Sequence, residues 1–590
     1  MPGLPVGKGV MKLVLSKATV LFLLLLVGCA AVPEKDVTVE GAQEGEGADT
    51  VVQPFDQPPT PVDQLDSEIV FNALAGEVAA QRHELSLAYE HLLKAAALSG
   101  DAKAAERAAR LAIFLKRDDL ALEAVGRWVE LAPNDLSARQ LGAALALRSG
   151  ELEQAYSQLK AVVAISVAKG QGGFLYAMAA VSREKNHKGA VGLLERLAAD
   201  YPDEPMGLYV VSLSALMGKS YDLAQERASQ LIERHPGWVK GYVLLSRIHV
   251  ALNGNDAARD LLARAVEQYP EEKLLRSAYG RILLEFGEKE LSYQQFQQIS
   301  RQTPDDGDVL FPLGVLALDM ERFREARRHF QQLRKLELRM DEAAYYLGRI
   351  DESQGRAEKA IEWYRKVQKG DVSYYAQVRI AKLMAGDGRL VEARDWLKNM
   401  RIRIPNQSVR LYLEEVEVVR EHGSSAQVMS LYDEALRAHS DDQDILYSRA
   451  LYAGTLDRID ILERDLRKVL AANPENANAL NALGYTLADQ TTRFDEALEL
   501  ITRALELKPE APAIIDSMGW IQYRLGNLEK ALGYLKKAMS MLPDSEFAAH
   551  LGEVLWVMGE QAEARAVWKK ALKEEPESKH ILETMQRLTK

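Results

Sequence analysis

The 590-residue chain holds one cysteine, Cys29, ten histidines, and two short strings that begin like known catalytic sites. A thiolate is a strong nucleophile and metal ligand. A lone one makes no internal disulfide, and no His, Asp or second Cys stands close enough in sequence to give a metal-ligand spacing. The context of Cys29 is a leader: Lys8, Lys12 and Lys17, then an apolar run from Ala18 to Val27, then small Gly28. That run is too short for a bilayer, which takes about 20 residues, so it is expected to be a signal-peptide core with a cleavage site. The string HELSL, His83 to Leu87, has Leu87 where the second zinc-binding histidine would stand, so it cannot set two imidazoles on one helix face. GQGGF, Gly170 to Phe174, lacks both the preceding strand and the following Lys-Ser/Thr of a phosphate cradle. No GxSxG elbow occurs, and the histidines form no cluster in sequence; His235 and His439 fall at equivalent loop positions, as helix ends would. No enzyme, cofactor or metal site is expected.

Leu26-Val27-Gly28-Cys29 resembles a lipobox, the motif at which bacterial lipoprotein precursors are acylated on cysteine and cut just before it. The resemblance implies an acylated Cys29 as the first residue of the mature chain. Ala30, in place of Asp, implies sorting to the outer membrane, so the chain is expected to be lipid-anchored on its periplasmic face. Met11, followed by Lys12, is an alternative start to the leader. From Ala30 to Asp66 the composition shifts to five prolines, many acids and few large apolar residues, too little to offset ordering entropy. A flexible tether of this length reaches about 35 Å. Three parts are therefore expected: a leader at 1–28, an acylated tether at 29–66, and a folded part at 67–590. The net charge of −12 excludes nucleic acid as a main partner, since phosphate binding needs clustered Lys and Arg. The membrane is expected to be met through the lipid anchor alone.

The folded part keeps a period. Pro202, Pro236, Pro270 and Pro304 are each 34 residues apart, and Pro474, Pro509, Pro543 and Pro576 follow at spacings of 35, 34 and 33. Inside a unit, Gly519 is followed by Ala531, Ala538 and Pro543, and the next unit repeats this with Gly552, Ala564, Ala571 and Pro576. Small residues at such spacings let two antiparallel helices cross closely, glycines such as Gly526 and Gly559 fall at the turn, and the proline ends the pair. Period and grammar resemble the tetratricopeptide repeat. That resemblance implies an all-α solenoid of up to fifteen helix pairs from Ser67 to Pro576, with a closing helix to Lys590, winding as a right-handed superhelix. Units near 405–474 lack the small glycine and should match a repeat profile poorly.

In this repeat family the inner face of each first helix holds ligands. Aligning the units places Asp516, Trp520, Tyr523 and Arg524 there, with Glu553 and Trp556 from the next unit and Asn478, Asn481 and Tyr485 from the preceding one. Such a mixture suits a peptide groove, because Trp, Tyr and Arg dominate interface hot spots. The alternative for Trp520 and Trp556 is simple packing between helices. Asp516 and Tyr485 stand where chaperone-tail binders carry a basic and asparagine clamp, which argues against capture of a free terminal carboxylate. The alanine-rich helices of Phe71 to Val129 are a second candidate surface, or merely a closely packed part of the stack.

Lipobox, acidic tether and long repeat array together resemble Gram-negative outer-membrane lipoproteins that act as adaptors of the periplasmic carboxyl-terminal processing protease. The resemblance implies that the chain binds and activates that serine protease and brings it cell-wall hydrolases to degrade. Two other readings stay open on the same sequence: an assembly scaffold for exopolysaccharide export, a secretin or a peptidoglycan synthase, and a muropeptide or carbohydrate binder.

Overall fold

The computed structural model describes residues 66–169 and 172–589. Leu26, Val27, Gly28 and Cys29, the tether before Asp66, and Gly170 of the glycine-rich string lie outside them. Among the described residues are 31 α-helices and no strand, arranged as fifteen pairs followed by the closing helix Lys579–Leu588. The fold is the tetratricopeptide solenoid. No helix among the described residues is long and apolar enough to cross a membrane. His83 and Glu84 lie in the turn between Ser67–Gln81 and Leu85–Ser99, so HELSL builds no zinc helix. His235 and His439 both directly follow second helices with nearly the same backbone angles.

Two compact units divide the described chain, 66–316 and 317–589. In the first, Ala95, Ala96, Ala105, Ala108, Ala109, Ala112, Ala121 and Ala124 are all fully or almost fully buried. These alanines thus serve close packing within the stack, the second of the two readings of this stretch, while Phe71, Leu74 and Phe114 of the same helices stay exposed. In the second unit the reason for the periodic glycine is direct. A Cβ on Gly519 would lie 2.6 Å from Leu535 Cγ, one on Gly348 would lie 2.5 Å from Tyr364 Cε1, and one on Gly552 would overlap the Trp568 indole. Each glycine admits the large side chain sixteen residues on, while Ala531 and Ala564, twelve on, are also fully buried. Burying a side chain such as Leu535 stabilises the pair by about 1.5–3 kcal/mol.

The helices that bear the candidate groove have local causes. Asp442 accepts from the Asp444 and Ile445 amides, and Asn476 from the Ala479 amide, capping Gln443–Gly454 and Ala477–Gln490. Pro512 opens Pro512–Arg524 at a position where its missing amide hydrogen costs nothing. Asp544 accepts from the Glu546 amide at 2.8 Å and caps Ser545–Val557. Gly526 and Gly559 then turn the chain at φ 82° and 92°, left-handed values that a side chain would strain.

Where the small glycine is missing, charge is buried instead. Glu415, the eighth residue of Ser408–His422 as Gly519 is of its own helix, accepts from Arg394 Nε at 2.8 Å and pairs with Arg401. In the next pair Arg449 grips Asp465 through two bonds of 2.6 and 2.9 Å, and Asp465 is wholly buried. These pairs are held by ion pairs at places where their neighbours rely on close helix approach.

Candidate functional site

Five consecutive first helices of the 317–589 unit wall one cleft of about 150 Å³. Ser408–His422 contributes Glu417 and Arg420, Gln443–Gly454 contributes Ser448, Leu451 and Tyr452, and Ala477–Gln490 contributes Asn481, Tyr485 and Thr486. Pro512–Arg524 adds Asp516 and Ser517, Ser545–Val557 adds Glu546 and Phe547, and Tyr432 reaches in from a second helix. Repetition makes the cleft: the same turn of successive first helices faces the same side, so residues about one period apart become neighbours.

That register pairs charges. His550, 34 residues after Asp516, meets its Oδ2 through Nδ1 at 2.8 Å. Tyr485 donates to Glu546 Oε1 at 3.0 Å and lies 3.3 Å from His550 Nε2. Trp520 stacks on the His550 ring with centroids 4.2 Å apart and donates to Asp489 at 3.2 Å. Burial alone would lower the His550 pKa, but the charge and hydrogen bond of Asp516, then Glu546, outweigh it and raise it to about 9. His550 is therefore an imidazolium at neutral pH. Burial pushes the Glu546 carboxyl up, against the pull of His550, and pushes the Tyr485 phenol up as well. Burial likewise raises Glu417, against its partner Arg420.

Two oxygens in this network have no partner. Asp516 is 3% exposed and Asn481 9%, and neither Asp516 Oδ1 nor Asn481 Oδ1 accepts a hydrogen bond. Unmatched buried acceptors are uncommon in folded proteins, and two of those among the described residues lie on side chains that line this one cleft.

Of the residues placed on the groove by sequence, Asn481, Tyr485 and Asp516 line the cleft. The others do not. Trp520 is 6% exposed, held by His550 and Asp489, and Trp556 stacks on Trp568 beneath Arg565, so both tryptophans pack between helices. Tyr523 donates to Glu553 at 3.0 Å, and Glu553 is also gripped by Arg587 of the closing helix. Arg524 donates to the Asp489 carbonyl at 2.7 Å, and exposed Asn478 accepts from Lys508 at 3.1 Å. Sequence reasoning missed His550, Glu546, Glu417 and Arg420. The signal was present in the register, since Asp516 and His550, like Glu553 and Arg587, are 34 apart with opposite charges. Among the described residues no group of three or more His, Cys, Asp or Glu could hold a metal ion.

A tetratricopeptide-repeat family model matches residues 243–307, 311–374 and 463–512. The stretch between the last two matches includes the units without the small glycine. The chain is 34% identical over 543 residues to the TPR repeat-containing protein PA4667 of Pseudomonas aeruginosa, covering 90% of this chain and 89% of that one. It is 21% identical over 348 residues to human mitochondrial import receptor subunit TOM70, spanning 58% of this chain and 47% of the receptor. Among solved structures, yeast Tom70 aligns over 69% of this chain and 92% of its own, at 15% identity and a TM-score of 0.34. A tetratricopeptide repeat protein from Parabacteroides merdae aligns over 42% and 99%, at 16% identity and a TM-score of 0.34.

Proposed function

Because the chain belongs to the tetratricopeptide-repeat proteins, in one family with PA4667 of Pseudomonas aeruginosa, we propose that it is a non-catalytic protein-binding scaffold whose cleft on five first helices grips a partner segment. The observation that carries this reading is the pair of buried, unpartnered oxygens on Asn481 and Asp516, two residues that line one cleft. A repeat stack suits this work, because each unit adds a strip of side chains to one continuous surface. Its fold is typical of scaffolds rather than enzymes, and on this reading the chain does no chemistry of its own.

The finer reading rests on the lipobox, the tether and the repeat array. Cys29 carries the lipid, the chain stands on the periplasmic face of the outer membrane, and the solenoid holds a carboxyl-terminal processing protease beside the cell-wall hydrolases that it degrades. Holding enzyme and substrate on one scaffold raises their effective concentration to about the millimolar range, so weak contacts suffice. Purified protease should degrade its hydrolase substrates at least about tenfold faster when the full chain is added, as a gain in effective concentration requires. Equal rates with and without the chain would sink the adaptor reading.

A further inference from the structure

The cleft has the electrostatics of a cation receptor. Asp516 spends Oδ2 on His550 and leaves its buried Oδ1 without a partner, and Asn481, from the preceding first helix, carries a second buried oxygen without a partner. The cations at the site are already matched, His550 by Asp516 and Arg420 by Glu417. Glu546 receives only the Tyr485 hydroxyl and, among the described residues, forms no salt bridge with a cation. The cleft thus has spare acceptors and no spare positive charge. A carboxylate entering it would meet Asp516 and Glu546 and be repelled, whereas an ammonium or guanidinium would supply the donors that the two unpartnered oxygens lack. The walls suit the rest of such a side chain. Tyr432, Tyr452 and Phe547 give apolar faces for a methylene stem and ring faces for its charge.

We infer that the cleft recognises the side chain of a lysine or arginine on a partner peptide, held by Asp516 and Asn481 with its stem against Tyr452 and Phe547. The inference rests on the reading of the cleft as a protein-binding site and deepens it by naming what the partner must present. It is the reverse of a clamp for a free terminal carboxylate.

The test uses the full chain and dye-labelled, N-acetylated and C-amidated peptides of neutral small residues with a central Lys, Arg, Gln or Glu, read by fluorescence anisotropy. Lys and Arg peptides should bind at least about tenfold more tightly than the Gln peptide, with the Glu peptide weakest. Asp516→Asn should abolish the preference. Asn481→Asp, which leaves the Asp516 and His550 pair in place, should strengthen Lys and Arg binding several-fold, a gain that misfolding cannot imitate. Thermal melts of both variants check folding. Equal binding of all four peptides, or tighter binding of a peptide with a free α-amine and no basic side chain, overturns the inference and leaves the protein-binding reading standing. No binding of any peptide by the unaltered chain removes both.

Discussion

Asp465→Ala is expected to destabilise the 317–589 unit by about 3–5 kcal/mol, because it strands a guanidinium in the interior. Asp465 is fully buried and binds Arg449 through both oxygens, with Arg464 donating to it at 3.0 Å. After the change, Arg449, itself 9% exposed, keeps only Asp433 at 2.6 Å, and that carboxylate is largely in solvent. Arg449 adjoins Ser448, which lines the cleft, so the loss acts on the cleft wall as well as on the stack. Replacing both partners, Arg449→Met with Asp465→Leu, removes the stranded charge and should return most of the lost stability. Urea midpoints of the single and double variants measure the difference. A single variant as stable as the unaltered chain would mean that the pair adds nothing to the unit.

The second large effect is a fall in stability on the alkaline side. His550 titrates near 9 in the folded chain and at about 6.5 when unfolded. The folded state therefore holds this proton more tightly. Its contribution is complete below about pH 6.5 and is lost as the pH rises to about 9, on the order of 3 kcal/mol. The charged and titratable groups around it are Asp516, Glu546, Asp489, Tyr485 and His580. His580 works in the opposite sense: burial, then the charge of His550, hold it down to about 4, so its contribution is present above about 6.5 and is lost toward acid. Urea midpoints at pH 6, 7.5 and 9 should fall for the unaltered chain and stay nearly level for His550→Gln. Parallel curves would show that the folded chain holds the His550 proton no more tightly than the unfolded chain does.

How much of this was legible in sequence depends on whether the signal is local. Gly519, Gly552 and the prolines at intervals of 34 revealed the helix pairs because each marks a turn or a close crossing by a single residue type. Units that use charge in place of glycine, as Glu415 and Arg449 do, carry no such mark, since an arginine and an aspartate sixteen residues apart look like solvated surface until the helices are paired. The cleft was half visible. Three of its five first helices were identified, and Asn481, Tyr485 and Asp516 do line it, whereas Ser408–His422 and Gln443–Gly454 were missed. Trp520 belonged to the right helix but not to the open surface, because His550 of the next unit stacks over it. A histidine count over the chain could not reveal that contact, whereas comparing charges at the same register of successive units does.

On the proposed function, the first-helix cleft of the 317–589 unit is where a partner is held. Hydrogen–deuterium exchange of the full chain, alone and saturated with purified carboxyl-terminal processing protease, tests it most directly. New protection is expected in peptides from Ala477–Gln490, Pro512–Arg524 and Ser545–Val557, with Asp516→Asn reducing it. Protection confined to other helices, with these three unchanged in a saturated complex, would contradict the claim.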